Sequence, residues 1–172
     1  MRLDSDDFEL FDLPRRFELD PVALDARWRE LQAEVHPDRF VSEGSASQRL
    51  AMQWAVRVNE AYRRLKDPLL RATTLCRLGG VEVNADSNVA LPTSFLVEQM
   101  EWREALDEAD SVDAVRALEA TVADRRRADL DRLYDAIDVR NDLKDAARLV
   151  IGLMFVERFA GDIDRRLEAL GQ

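Results

Sequence analysis

The last of five prolines in this 172-residue chain is Pro92, so the eighty residues that follow run without one. Proline lacks a backbone donor and clashes with the preceding turn, so a long stretch free of it can stay helical. Only six glycines are present, and Ala, Leu, Arg and Glu are plentiful, which points to helices along the whole chain. The earlier prolines fall where helices should start or stop. Pro21 follows Asp20 and reads as a first helical position behind a cap; Pro14, Pro37 and Pro68 each close a helical pattern.

Between these marks the apolar residues keep a helical period. Ser5 is expected to cap a short helix through Phe8, Leu10 and Phe11, with Asp6 and Asp7 in its first turn. Leu24, Trp28, Leu31 and Val35 form one stripe, and Leu50, Trp54, Val58, Ala61 and Leu65 form another. These two helices, joined by a polar loop over 40–45, should pair as an antiparallel hairpin covered by the short helix. A further helical segment over 69–78 leads to Gly79-Gly80. Residues 79–92 show no stripe and read as a linker.

After Pro92, Thr93 or Ser94 should cap a helix to about Ala109. Ser111 should cap a second with Val115, Leu118, Val122, Leu130, Leu133 and Ile137 inward. The last should pack through Leu149, Leu153, Val156, Ala160, Ile163, Leu167 and Leu170. An antiparallel three-helix bundle follows. The chain is therefore expected to be all-α, in two blocks.

Composition narrows the function classes. The formal net charge is −10, which argues against a nucleic-acid binder, since phosphate contacts need a basic surface. One cysteine, Cys76, excludes a disulfide scaffold and reads as a small buried residue; one histidine, His36, excludes most His-rich metal centres. His36 with Asp38 makes only two metal ligands, and Cys76 with His36 does not suggest a nucleophile and base. No cofactor, metal or bond chemistry is expected. The acidic start and the lack of a long apolar run suggest a cytoplasmic protein without a membrane anchor. The run Arg125-Arg126-Arg127, interleaved with Asp124, Asp129 and Asp131, reads as a solvated helix face.

Two places carry more than a fold. The only histidine stands in His36-Pro37-Asp38, at the end of the first long helix. Pro37 stiffens the turn, so two polar side chains are held ready for a partner at little entropic cost. The plainer alternative is a helix-ending turn. The second place is the helix after Pro92. At about 100° per residue from Phe95, Trp102, Leu106 and Ala109 return to the core side, while Leu96, Val97 and Met100 fall mostly opposite, flanked by Glu101 and Glu104. On the last helix Phe155 and Ile151 lie off the main stripe. Such apolar patches bordered by acids suit a partner, or else pack on a neighbouring element.

Phe8-Glu9-Leu10-Phe11, Leu13-Pro14 and the hairpin around His36-Pro37-Asp38 resemble a J domain, the module with which co-chaperones stimulate DnaK-type ATPases. Asn59-Glu60-Ala61-Tyr62, Leu65-Lys66-Asp67-Pro68, Arg71-Ala72 and Phe95-Leu96-Val97-Glu98-Gln99-Met100 narrow the resemblance to the HscB family of iron–sulfur cluster assembly. The resemblance implies a J domain over 1–78, a linker over 79–92 and a client-binding three-helix bundle over 93–172, set in an L shape. It implies that His36, Pro37 and Asp38 touch a DnaK/HscA-type ATPase chaperone, with Arg39 and Arg27 adding positive charge. It also implies that Leu96, Val97, Met100, Glu101, Glu104 and Phe155 hold an IscU-type scaffold protein. The helix before the turn departs from the family in being mixed in charge, Arg27 and Arg29 standing against Asp25, Glu30 and Glu34. A J protein with another client, and an all-α interaction protein outside the chaperone system, are the alternatives.

Overall fold

The structure is a computed structural model that describes residues 2–84 and 91–171. Residues 85–90, in the middle of the expected linker, lie outside the described residues, as do Met1 and Gln172. The described elements are helices: α1 (Asp7–Leu10), α2 (Pro21–Val35), a 3₁₀ helix (Pro37–Glu43), α3 (Ser45–Lys66), α4 (Pro68–Leu78), α5 (Thr93–Glu108), α6 (Val112–Tyr134), a π turn (Asp135–Val139) and α7 (Leu143–Gly171). The chain divides into two compact units, Met1–Leu75 and Cys76–Gln172, with the boundary inside α4.

In the first unit α2 and α3 pair as the expected hairpin, and α1 packs on α3. Phe8, Phe11, Leu24, Leu31, Val58 and Leu65 are fully buried between them. Each such side chain contributes about 1.5–3 kcal/mol by leaving water. The α1 cap is Asp6 and not Ser5: its carboxylate accepts from the N–H groups of Phe8 and Glu9, and the Glu9 side chain reaches back to the Asp6 N–H. A carboxylate at the N-cap also meets the positive end of the helix. Asp20 caps α2 as expected, accepting from the Val22 N–H at 2.9 Å.

Residues 40–43 of the polar loop expected over 40–45 belong instead to the 3₁₀ helix, which is capped by Gly44 with φ of 96°. Glycine adopts that left-handed geometry without strain, and α3 starts at the next residue. Leu50 was expected in the α3 stripe but is exposed, and Ala51 takes the inward position. The segment Asn59-Glu60-Ala61-Tyr62 works as hairpin glue. Asn59 Oδ1 accepts from Trp28 Nε1 at 3.0 Å and from Gln32. Tyr62 stacks on Trp28 with ring centroids 4.7 Å apart and donates to Asp25 at 2.7 Å. The Asp67 carboxylate caps α4 by accepting from the Leu70 N–H at 3.0 Å.

In the second unit α5, α6 and α7 enclose a core of Phe95, Trp102, Leu106, Val115, Leu118, Val122, Val156, Phe159 and Ile163. Trp102 and Phe159 meet with centroids 5.7 Å apart. No side chain caps α5: its N-cap is Pro92, so neither Thr93 nor Ser94 does what the sequence suggests. Ser111 does cap α6, accepting from the Ala114 N–H at 3.2 Å. The helix stops at Tyr134, and Ile137 is buried from the π turn beyond it. Ile151 faces the core and not an outer surface, being 3% exposed. Arg125 is not on a solvated face: it bonds Asp129 at 2.9 Å and also Glu98, while Arg132 reaches the other Asp129 oxygen at 2.7 Å. Asp129 itself is buried.

Candidate functional site

Two exposed surfaces, one in each unit, hold the residues singled out above. The first is the end of α2. Pro37 disfavours helical geometry at His36, which takes an extended backbone with φ −61° and ψ 126°. The His36 ring then folds over the start of the 3₁₀ helix, where Nδ1 accepts from the Asp38 N–H at 3.3 Å. The Asp38 carboxylate stands 3.6 Å from the same nitrogen. A neutral ring with its proton on Nε2 therefore uses Nδ1 for the backbone, which leaves Nε2–H and the carboxylate outward. Both side chains are well exposed, 57% for His36 and 86% for Asp38. The turn presents one donor and one anion on a stiff backbone.

Arg39 folds back, donating from Nη1 to the Ala33 carbonyl at 3.0 Å and so satisfying a carbonyl near the α2 C-terminus. Arg27 bonds Glu30 at 3.1 Å. It also lies nine residues before His36, about 180° around the helix and so on the far side. Arg29, seven residues before His36, falls within about 20° of it. No ion pair of Arg29 is seen among the described residues, and the Asp25 carboxyl is held below its ordinary pKa by the Tyr62 hydrogen bond first, then by Lys66, with the Arg29 charge the smallest contribution.

The second surface is the α5 face opposite the core. Leu96 is 50% exposed, Val97 47%, Met100 71% and Phe155 39%. Their exposure follows from Phe95 and Trp102 already filling the inward stripe of α5. Phe155 is set by its neighbour, since its ring stands edge-on to Phe95 at 6.4 Å between centroids. An open groove of ≈ 1010 Å³ between α5 and α7 is lined by Leu96, Met100, Glu104 and Phe155 together with Gln99, Arg103, Asp107 and Glu108. Val97 and Glu101 are exposed but stand outside its lining. Arg103 enters the wall because it spans to α7, donating to Asp162 at 2.8 Å above the Phe159 ring. Its spacing of three from Met100 and eight from Phe95 was visible in the sequence, but its partner on α7 was not.

Cys76 is fully buried, and burial pushes its thiol up to about 11. Among the described residues no group of three or more His, Cys, Asp or Glu side chains could hold a metal ion. Among them, too, no helix is long and apolar enough to cross a membrane.

Comparison with known proteins gives these surfaces a context. Residues 91–164 match the family model described as the HSCB C-terminal oligomerisation domain. The "Co-chaperone protein HscB homolog" of Burkholderia multivorans is 49% identical over 166 residues, covering 95% of this chain and 94% of that protein. Among solved structures, the chaperone HscB from Vibrio cholerae superposes with a TM-score of 0.85 at 35% identity, covering 96% of this chain and 99% of that one. The human co-chaperone protein HscB superposes with a TM-score of 0.91 at 27% identity, covering 100% of this chain and 86% of that one. The all-α fold, with its N-terminal J domain and C-terminal helical bundle, agrees with these relatives, and the chain belongs to the HscB co-chaperone family.

Proposed function

We propose that the protein is an adaptor that stimulates the ATPase of a DnaK/HscA-type chaperone and delivers an IscU-type iron–sulfur scaffold protein to it, in the cytoplasm. The observation that carries this reading is the exposed His36-Pro37-Asp38 turn at the end of the α2–α3 hairpin. The turn makes and breaks no bond. An imidazole N–H and a carboxylate on a stiff loop offer a donor and an acceptor whose spacing is preset, so docking costs little ordering entropy. Binding a chaperone's hydrolysis-competent state more tightly than its resting state shifts the population toward hydrolysis. Arg39 adds positive charge next to the turn. Arg27 stands on the far side of α2, which favours Arg29 as the cation that reaches the same partner.

For the client, Leu96, Met100 and Phe155 supply apolar contact at one groove, with Glu104 at its wall. Val97 and Glu101 extend the surface beyond the groove. A buried apolar centre with charged edges is the arrangement in which the centre sets affinity and the rim sets orientation. Steady-state ATP turnover of the chaperone, measured with wild type and with Asp38→Asn, tests the first half. Equal stimulation by the two proteins would remove the J-domain reading. Scaffold binding by a Leu96→Ala, Met100→Ala, Phe155→Ala protein of unchanged helicity tests the second. Full affinity in that variant would assign the groove to another client.

A further inference from the structure

The side-chain nitrogen of Gln99, Nε2, is buried and has no hydrogen-bond partner among the described residues. Nε of Arg27 and Nε of Arg166 are in the same state, but their guanidiniums bond through another nitrogen, Arg27 to Glu30 and Arg166 to the Ala109 carbonyl. Gln99 has no second nitrogen to use, so both hydrogens of its primary amide stay unbonded. Buried polar groups are nearly always paired, and an orphan calls for a reason.

Its place on α5 is the border between the two rows of that helix. Gln99 falls about 40° around the helix from Phe95, with the inward Trp102 to one side of it and Arg103 and Leu96 to the other. Its side chain lines the groove that Leu96, Met100 and Phe155 open to water. Arg103, one turn further on, is already committed, donating to Asp162 above the Phe159 ring. Carboxylates stand in the same wall, at Glu104, Asp107 and Glu108, and none of them accepts from the Gln99 amide.

We infer that Gln99 is a specificity-determining donor of the client groove, whose amide pairs with a main-chain carbonyl of the apolar client segment seated on Leu96, Met100 and Phe155. The inference rests on the reading of this groove as the scaffold site. Two observations select the acceptor. The carboxylates of Glu104, Asp107 and Glu108 repel an anion, so the acceptor is neutral. A segment apolar enough to fill the groove has no side-chain oxygen at its centre, which leaves its backbone. A carbonyl buried there without a donor would weaken binding, and Gln99 supplies the donor. The amide has already lost its water in the free protein, so pairing it gives up no bond to solvent. It therefore favours a client segment with an unused carbonyl, in a loop or at a helix end, over the middle of a helix.

The test is isothermal titration of the full chain with a purified IscU-type scaffold, with urea unfolding as a second readout. Gln99→Met keeps the length of the side chain and removes both hydrogens. It should bind the scaffold about tenfold more weakly, while its urea midpoint holds or rises, because the unmade bond leaves with the amide. Gln99→Glu keeps the shape but only accepts when ionised, and should bind no better than Gln99→Met. In the isotope-labelled wild-type chain, the Gln99 side-chain amide protons, assigned by their loss from Gln99→Met, should move downfield in NMR spectra as scaffold is added. Unmoved signals, or wild-type affinity in Gln99→Met while the Leu96→Ala, Met100→Ala, Phe155→Ala protein loses binding, would overturn the donor and leave the groove standing. A lower urea midpoint in Gln99→Met would also overturn it, assigning the amide to the fold. Full affinity in the triple variant would instead overturn the reading on which the donor rests.

Discussion

Arg64 Nε donates to the Asp7 carboxylate at 2.6 Å, joining two residues that lie 57 positions apart in sequence. Arg57 reaches the same carboxylate at 2.7 Å, and Asp7 is 4% exposed. This contact fastens α1, only four residues long, to the middle of α3. A helix that short has no stability of its own. Burial works against the Asp7 charge, and the hydrogen bonds from Arg64 and Arg57 outweigh it, so the carboxyl titrates below its ordinary value.

The sign of the pH effect follows. A depressed folded-state pKa stabilises the fold above the unfolded value of 3.8 and loses that contribution as pH falls through the folded value. Asp7→Asn should cost about 3 kcal/mol at neutral pH, because two guanidiniums lose their anion. Urea unfolding at pH 7 and at pH 3 checks this: the gap between wild type and variant should be wide at pH 7 and narrow at pH 3.

Arg27 and Arg29 should separate cleanly in chaperone assays. Arg29→Ala should weaken half-maximal stimulation by roughly threefold at low salt, as for a rim charge, and Arg27→Ala should leave it unchanged. The measurement is an ATP-turnover titration of the chaperone. Equal losses for the two variants would mean that the side of α2 facing away from His36 also meets the chaperone.

Within the client surface the groove-lining residues should matter most. Met100→Ala and Phe155→Ala should each weaken scaffold binding by about 1–2 kcal/mol, and Val97→Ala by less than either, since Val97 stands outside the groove. Isothermal titration with the purified scaffold gives the ranking. A Val97 effect as large as that of Met100 would place the centre of contact on the outer ridge of α5.

Cys76 should resist thiol reagents in the native protein. Its buried thiol, pushed up to about 11, leaves almost no thiolate at pH 8. Labelling should proceed on denaturation and be at least about a hundredfold slower before it, timed by mass spectrometry.

The sequence made some of this legible and hid the rest for physical reasons. The turn stood out because its histidine is unique and its proline ends a clear stripe. The second row on α5 stood out because Phe95, Trp102 and Leu106 already account for the inward side. Ile151, off the main stripe and open to a partner or to packing on a neighbour, is buried because the rule of one stripe per helix fails for α7, where Val150, Ile151, Gly152 and Leu153 are all buried. Arg125 looked solvated because an ion pair across helices, such as Arg125 with Glu98, leaves no periodic mark in the sequence. Arg27 and Arg29 differ only by their spacing to His36, a signal present in the numbering but silent in the composition. The Ser5 and Thr93 caps failed for a shared reason: a neighbour, Asp6 or Pro92, occupies the last non-helical position.

The acids beside the apolar groove have a consequence for the protein in isolation. Leu96, Met100 and Phe155 leave an oily surface open to water, the kind through which copies of one chain adhere to each other. Two copies approaching through that surface would bring Glu104, Asp107 and Glu108 of both against one another, and the like charges would oppose the approach. A basic visitor meets no such barrier. The same carboxylates that would greet a client should therefore oppose self-association through this groove, and concentrated salt, by screening them, should weaken that opposition.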